Sequence, residues 1–518
     1  MRGIAFGDDM STLRLLSALG VLGTCWWVFS LRPRVPTARP AHRHPRPRLS
    51  GARSRHVAGK SEARWATRSD VLPLVVRGPQ TGRLLLGRAG LRLLAAEPGS
   101  SVLVVGPTQS RKTSGFAVPA ILEWDGPVVA ASVKTDLARH TLAWRTSRGK
   151  VWVYDPAGTT GMEASTWSPL RQASTWSGAR SASASLTEVA RSSAGNLTDG
   201  DFWYSSAAKL LAPLLLASAV SGRTMTDVVR WLDDQETSEV AEALESVGAV
   251  EALQALRACW ARDDRQKSAV YSTAETVIEP FADPAVAASA GSRPSASSCI
   301  EGRGAIDPGA LLDGPNTLYL CAPAHDQRRL RPLFATLATQ VIEAAYERAD
   351  RQGAALDPGL LVVLDEAANV APIAELDVLA STAAGHGVQL VTVWQDLAQI
   401  DGRYGTRAGS VVNNHRAKVF LSGIADPKTL EHASQLIGEA EQATFSTTFD
   451  GRSAASTTQT SVARRLLPAD ALRRVPPGSA VLVSGHLPPV RMSLRPWQEE
   501  SALRARVCGE LGTRSGGS

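Results

Sequence analysis

An apolar run that leads into a short turn ending in Lys-Thr is the feature that most constrains the fold of this chain. Residues 101–106 read SVLVVG, and such a continuous apolar run predicts a strand buried on both faces. The turn continues to Ser114, with Lys112 and Thr113 near its end, and a helical pattern follows. A strand, a turn and a helix N-terminus in this order are the context of a Walker A loop. Such a loop holds a polyphosphate with backbone N–H groups and the helix dipole.

The loop predicts a site for the phosphates of ATP. Lys112 would reach the β- and γ-phosphates, and the Thr113 hydroxyl would ligate Mg²⁺. Arg111 departs from the GxxxxGK[ST] pattern, which has glycine before the lysine. Its side chain either strains the loop and crowds the phosphates, or adds a phosphate contact. An ordinary basic turn is the alternative interpretation. The residues predicted to contact the nucleotide are Gly106, Pro107, Thr108, Gln109, Ser110, Arg111, Lys112, Thr113 and Ser114.

Two adjacent carboxylates end a second apolar run, GLLVVLDE, at residues 359–366. In a Walker B arrangement, Asp365 would hold the magnesium through water and Glu366 would polarise the attacking water. A later strand pattern ends at Gln395, whose side chain could sense the γ-phosphate or orient that water. The alternatives are two solvated acids at a strand end and a capping or turn glutamine. The sequence therefore predicts Glu366, Gln395 and Lys112 as catalytic residues, with Thr113 and Asp365 as Mg²⁺ ligands.

Short apolar runs alternate with helical patterns over most of the chain, which predicts an α/β fold with a mostly parallel sheet covered on both faces. Residues 172–200 interrupt this alternation; they are rich in Ser, Ala and Thr and are predicted as a loop. Residues 201–290 carry helical patterns without a strand candidate, and residues 291–306 are predicted as a return linker. The sequence therefore predicts an all-helical subdomain inserted into the sheet domain. The predicted strands are 101–106, 126–132, 150–156, 316–323, 359–366, 388–395, 417–423 and 479–485, after a small antiparallel entry at 71–76, 83–88 and 91–96.

The positive charge of the chain is concentrated at its N-terminus. Residues 1–60 hold 11 Lys or Arg and 2 Asp or Glu, so their net charge is +9. The net charge of the whole chain is +7, so the remaining residues carry −2. Net charge therefore gives no argument that the folded body binds nucleic acid. Residues 15–31 are uncharged and apolar, and arginines follow directly. This pattern predicts a transmembrane helix with the body in the cytoplasm; a cleaved signal peptide, the alternative, would have its basic residues on the other side.

Several segments together resemble the TraG/TraD-like coupling proteins of type IV secretion and conjugation, which are relatives of FtsK-type hexameric translocases. The resemblance extends over about residues 80–495 and depends on the order and spacing of its motifs. It is carried by VVGPTQSRKTS, by SVKTDLARHTLAWRTSRGKVWVYDP (132–156), by DFWYSSAAKLLAPLLLA (201–217) and by the segment from DEAANVAPI to QIDGRYG (365–405). Residues 413–438 and 464–485 also fit.

The resemblance implies a membrane-anchored ATPase that links relaxase-bound single-stranded DNA, or protein cargo, to a secretion channel. It implies a P-loop NTPase (RecA-like) fold, ATP and Mg²⁺ at the site, and a homo-oligomeric ring, expected to be a hexamer. Members of the family also carry an arginine eleven residues before the glutamine, as a finger acting on the neighbouring subunit's nucleotide. Here that position is Ala384, and His386, Arg403, Arg407 and Arg416 are the candidate substitutes.

These observations divide the chain into six predicted regions and leave two functions open. The first function is the motor ATPase; the alternative is a non-hydrolysing, membrane-tethered substrate receptor with a degenerate P-loop. Arg111 and Ala384 favour the receptor. Five intact residues favour the motor: Lys112, Thr113, Asp365, Glu366 and Gln395. The predicted regions are a membrane anchor (1–31), a basic tether (32–65), the first part of the nucleotide-binding domain (66–171), the helical insertion (172–306), the second part of the nucleotide-binding domain (307–497) and a C-terminal tail (498–518).

Overall fold

The computed structural model describes residues 63–193, 200–291, 304–321, 326–450 and 454–509. All of them belong to one compact unit, Ser61–Ser518. The predicted transmembrane helix, most of the predicted tether and the last nine residues lie outside the described residues.

Twelve of the fourteen strands in the described ranges form one sheet. The strands are β1 (Val75–Val76), β2 (Leu85–Ala89), β3 (Arg92–Ala95), β4 (Val102–Val105), β5 (Val128–Ser132), β6 (Val151–Tyr154), β7 (Thr317–Cys321), β8 (Leu360–Leu364), β9 (Val388–Trp394), β10 (Ala417–Leu421), β11 (Glu439–Asp450), β12 (Ala454–Arg465), β13 (Ser479–Ser484) and β14 (Val490–Ser493). Their order across the sheet is β1-β3-β2-β14-β13-β10-β4-β9-β8-β5-β7-β6. From β10 to β6 all neighbours are parallel, and from β1 to β10 all are antiparallel. The prediction of a mostly parallel sheet is therefore confirmed.

Alternate side chains of the central strands enter two different cores. In β4, Val102 and Val104 belong to one buried cluster, whereas Leu103 and Val105 belong to the other. All four are fully buried, because helices cover both faces of the sheet. The helices outside the insertion are α1 (Val118–Glu123), α2 (Asp136–Thr146), α10 (Pro308–Leu311), α11 (Gln327–Gln352), α12 (Leu376–Thr382), α13 (Leu397–Tyr404), α14 (Ala408–Asn414), α15 (Pro427–Ile437), α16 (Ala469–Arg473) and α17 (Ser501–Val507).

Seven helices between β6 and α10 form the insertion in the described part of the chain. They are α3 (Trp176–Ser193), α4 (Gly200–Val220), α5 (Met225–Asp233), α6 (Ser238–Ser246), α7 (Val250–Trp260), α8 (Asp264–Ile278) and α9 (Pro284–Ser289). Helix α4 contacts α3, α5, α6, α7 and α8, so it forms the centre of this group. Among the described residues, α4 is the one helix long and apolar enough to cross a membrane, and 67% of its apolar window is buried inside the protein. That burial accounts for its apolar composition as a core helix.

The prediction of a loop at residues 172–200 was wrong over most of its length, because α3 occupies Trp176–Ser193. The segment looks loop-like because serine and alanine dominate it. Yet Ala179, Ala182, Leu186 and Val189 are buried, at spacings of three and four residues. Small side chains on one helical face allow α3 to pack closely against α4.

A long β-hairpin was not predicted. Strands β11 and β12, of twelve residues each, pair with one another in a separate two-stranded sheet. At about 3.4 Å per residue the hairpin is about 40 Å long. Its sequence is rich in Thr, Ser and Ala and lacks a clear alternation of apolar and polar residues, which is the signal that identifies a half-buried strand.

Candidate functional site

The order of three neighbouring strands brings the predicted site residues to one edge of the sheet. Strand β9 lies between β4 and β8, and all three are parallel. Their carboxyl ends therefore lie side by side. The loop that follows β4 carries Lys112, the residue after β9 is Gln395, and the two residues after β8 are Asp365 and Glu366.

The loop after β4 needs an unusual backbone. Gly106 has no room for a side chain, because a Cβ there would lie 2.7 Å from Ser110 Oγ and 2.8 Å from Leu421 Cβ. Gln109 and Arg111 adopt left-handed conformations, with φ of 66° and 65°. Arg111 thus occupies, at a steric cost of about 1–2 kcal/mol, the conformation that glycine would adopt freely.

Lys112 is buried and its ammonium group turns back onto the loop. Its Nζ donates to the Gly106 carbonyl oxygen over 3.0 Å. Burial lowers the pKa of Lys112, while the carboxylates of Asp365 and Glu366 act in the opposite direction. A compact cation therefore lies inside the loop, in the electrostatic field of the two acids.

Asp365 is linked directly to the phosphate loop. The Thr113 hydroxyl donates to Asp365 Oδ2 over 3.0 Å, and the Ser132 hydroxyl lies 3.5 Å from the same oxygen. Burial raises the pKa of Asp365 to about 6, against the opposing effects of the Thr113 hydrogen bond and the Lys112 charge. Its other oxygen, Oδ1, is buried and has no hydrogen-bond partner in the part of the chain that the structure describes.

Glu366 and Gln395 are both partly exposed at the same edge. Glu366 has a left-handed backbone, with φ of 61°, and its carbonyl oxygen accepts hydrogen bonds from Asn369 and Val370. The Gln395 N–H donates to Gln399 Oε1 over 3.1 Å. A tight turn after β8 and a capped helix start after β9 therefore fix the backbone of these two residues.

The donor set fits a magnesium-bound polyphosphate. A buried carboxylate oxygen of Asp365 and the buried Ser110 hydroxyl both lack hydrogen-bond partners among the described residues. Unpaired buried polar atoms are costly, and a ligand that satisfies them gains that free energy. Carboxylate and hydroxyl oxygens are the ligands that Mg²⁺ prefers in proteins, and Asp365 and Thr113 supply them 3.0 Å apart.

Sequence reasoning missed Ser132 and Lys134. Both follow or end β5, which is hydrogen-bonded to β8. Ser132 contacts Asp365, and the charge of Lys134 acts on both Lys112 and Asp365. A polar residue that ends a buried strand was the available signal. Nothing in the sequence shows, however, that β5 is the neighbour of β8.

The structure separates the four candidates for the arginine that Ala384 replaces. Arg416 and Ala384 line the same cavity of about 510 Å³, at the amino ends of β4 and β10, and Arg416 is half-exposed beside Glu97. His386 stacks on a tyrosine ring 3.9 Å away. Arg407 is bonded to the Ala374 carbonyl oxygen over 2.6 Å, and burial lowers the pKa of Arg403. His386 lies in the same short 3-10 turn as Ala384, Ala383–His386, and among the three arginines Arg416 is the one that lines a cavity with Ala384.

Comparison with protein families and known sequences gives one consistent match. The family described as Type IV secretory system Conjugative DNA transfer matches residues 62–507. The Conjugal transfer protein TraG of Escherichia coli is 25% identical over 405 residues, covering 72% of this chain and 61% of the relative. The protein of the same name from Agrobacterium fabrum (strain C58 / ATCC 33970) is 25% identical over 410 residues, covering 76% and 60%. The chain thus matches about three fifths of the length of these curated relatives.

Solved structures show the same fold. The unbound bacterial conjugative coupling protein TrwBdeltaN70 superposes with a TM-score of 0.62 at 18% identity, covering 84% of this chain and 92% of that one. The plasmid coupling protein TrwB in complex with ADP and Mg²⁺ superposes with a TM-score of 0.59 at 18% identity, covering 84% and 93%. The same protein with the ATP analogue ADPNP gives a TM-score of 0.61 at 18% identity, with the same coverage.

Proposed function

The chain belongs to the Type IV secretory system Conjugative DNA transfer family, and we propose that it is a membrane-anchored ATPase of the coupling-protein type. It delivers single-stranded DNA, with its relaxase, or a secreted protein to the channel of a type IV secretion system, and ATP hydrolysis powers the transport. TraG and TrwB, the relatives described above, are named for conjugal transfer and for coupling.

One observation carries the ATPase part of the proposal. The strand order β4-β9-β8 brings a lysine, two acids and a glutamine, far apart in sequence, to one edge of the sheet. The alternative interpretations, an ordinary basic turn and two solvated acids at a strand end, give no reason for these residues to lie at the same edge. The TrwB structures with ADP and Mg²⁺ and with ADPNP show that proteins of this fold bind nucleotides.

Each residue at the edge has a role in the proposal. Lys112 leaves the Gly106 carbonyl and pairs with the outer phosphates, and Thr113 and Asp365 hold Mg²⁺. The bound metal supplies positive charge against the phosphate oxygens. Glu366 orients the attacking water and polarises its O–H bond, and Gln395 fixes the position of the same water.

We further propose that the active form is a ring, expected to be a hexamer, with a nucleotide at each subunit interface. Arg416 is the candidate for the trans-acting arginine, because it lines the cavity that also contains Ala384. Its contact with Glu97 is half-exposed and therefore weakly held. The phosphates of a nucleotide bound to the neighbouring subunit would then replace the Glu97 carboxylate at little cost in free energy.

Membrane attachment is proposed from the sequence. The uncharged residues 15–31 precede a basic segment, which is the pattern of a single-pass helix with a cytoplasmic body. Residues 32–65 would then tether the body to the cytoplasmic membrane and could attract anionic lipid headgroups.

ATP turnover by the purified full chain, with and without single-stranded DNA, tests the proposal. We expect DNA to stimulate turnover in the parent protein. Lys112→Ala should weaken ATP binding because a cation facing the phosphates is lost. Glu366→Gln, which matches the parent in size, should bind ATP normally and stop hydrolysis. If the parent binds ATP but never hydrolyses it, the non-hydrolysing receptor is correct; if Lys112→Ala binds as the parent does, the loop assignment is wrong.

A further inference from the structure

A segment near the C-terminus lies along the start of the helix that follows the phosphate loop. We call residues 494–500, between β14 and α17, the strap. The Trp497 N–H donates to the Ser114 carbonyl oxygen over 3.0 Å, and the Arg495 N–H donates to that of Gly115 over 3.2 Å. A Cβ at Gly115 would lie 3.1 Å from Leu494 Cβ, so the approach is close. The strap is therefore bonded to the backbone next to the candidate nucleotide site.

A buried ion-pair network anchors the strap. Arg495 donates to both oxygens of Glu123, over 2.6 and 2.9 Å, and to both oxygens of Glu500, over 2.6 and 2.9 Å. The side chains of Arg495 and Glu123 are only 6% and 8% exposed. Burial opposes the charge on Arg495, but its bonds to the two acids raise its pKa overall. Removing one partner of such a network is strongly destabilising, so the strap is held firmly.

Glu499, the residue before Glu500, contacts Arg111 of the phosphate loop. Glu499 Oε1 accepts from Arg111 Nη1 over 2.6 Å, and the two side chains are 60% and 44% exposed. An exposed pair of this kind contributes about 0.2–1 kcal/mol. The strap is thus fixed at Glu500 while its contact with the loop is weak and easily exchanged.

We propose that Glu499 is a positioning residue for Arg111, and that the phosphates of a bound nucleotide compete with Glu499 for the guanidinium. This inference rests on the proposed function, since it needs a nucleotide in the loop. Guanidinium–phosphate contacts are charge-assisted and bidentate, so they are stronger than the exposed pair they replace. Arg111 therefore contributes to nucleotide binding only after it leaves Glu499. The contact between the strap and the phosphate loop is then present when the site is empty and broken when a nucleotide is bound.

Titration of the full chain with Mg²⁺ and a slowly hydrolysed ATP analogue tests the competition. Glu499→Gln should bind about two to five times more tightly than the parent, because the competing charge is gone. Glu499→Asp keeps the charge and should bind as the parent does. In an Arg111→Gln background, Glu499→Gln should have no effect. Unchanged or weaker binding by Glu499→Gln, or an equal gain without Arg111, would overturn the proposal.

Amide hydrogen exchange gives a second readout, independent of turnover. The Glu499 N–H donates to the Pro496 carbonyl oxygen over 2.9 Å, so its exchange depends on the local order of the strap. The analogue should speed exchange of the amides of residues 497–500 in the parent by at most about two to five times, and in Glu499→Gln it should leave that exchange unchanged. If the parent binds the analogue in a Lys112-dependent way and neither readout responds to Glu499→Gln, this inference fails and the proposed function stands.

Discussion

At the scale of single residues, Arg111 shows how the loop tolerates a departure from its motif. Its left-handed φ of 65° costs steric strain, and the ion pair that its side chain forms with Glu499 is exposed and stabilises the protein only weakly. The prediction from sequence left open whether this arginine blocks the loop. In the structure, the Thr113 hydroxyl donates to Asp365 over 3.0 Å with Arg111 in place.

The strain at Arg111 can be measured with two variants that both lose the Glu499 contact. Arg111→Gly should be more stable towards urea than Arg111→Ala by about 1 kcal/mol, because only glycine adopts φ near +65° without a steric penalty. At an ordinary helical position the order is the reverse, with alanine more stable. Equal stability of the two variants would show that the loop relaxes out of the left-handed conformation.

At the scale of elements, the junction of α14 with β10 contains a fully buried histidine. His415 Nδ1 lies 2.7 Å from the Val411 carbonyl oxygen, which can only accept, so Nδ1 carries the proton. Nε2 then accepts from the Thr392 hydroxyl over 3.0 Å. Burial lowers the pKa of His415 to about 4, and the charge of Lys418 acts in the same direction. The ring is therefore neutral in the folded protein at neutral pH.

This histidine should make stability depend on pH. The unfolded chain binds a proton near pH 6.5 and the folded protein only near pH 4, so stability from this group is complete above pH 6.5 and falls as pH drops towards 4. The loss amounts to at most about 3 kcal/mol. Urea unfolding of the parent and of His415→Gln at several pH values measures it. The variant, which is less stable overall, should have a shallower slope over that range; an identical slope would contradict the assignment.

At the scale of the whole molecule, the positive charge and the predicted membrane anchor both lie in residues 1–60, apart from the body that holds the candidate nucleotide site. Residues 1–60 carry +9 and the remaining residues −2. On the proposed function, contacts of the body with DNA would therefore come from local arginine clusters, and binding should be strongly salt-dependent.

Removal of residues 1–60 tests this separation. The truncated protein should move from the membrane fraction to the soluble fraction, since the one predicted anchor is gone. DNA-dependent ATP turnover should be largely retained at matched salt concentration, because the candidate nucleotide site lies in the described body. Loss of that turnover in a folded, soluble fragment would show that the N-terminal segment, or assembly at the membrane, handles the DNA.

The sequence by itself determined the mostly parallel sheet, the helical insertion and the residue types of the candidate site. Buried strands, turn glycines and terminal acids leave local patterns that a reader of the sequence can recognise. Small-residue helices and polar hairpins do not, so α3 and the β11–β12 hairpin were missed.

Only the tertiary structure decided which strands are neighbours. In the order β4-β9-β8-β5, Gln395 lies between the loop that carries Lys112 and the acids that follow β8, and Ser132 at the end of β5 joins the site. This order results from packing across the whole sheet. The contact of Arg111 with Glu499 joins residues 388 positions apart. Such contacts depend on how helices and strands fill the space around a shared core, and a local pattern of residues carries no record of that arrangement.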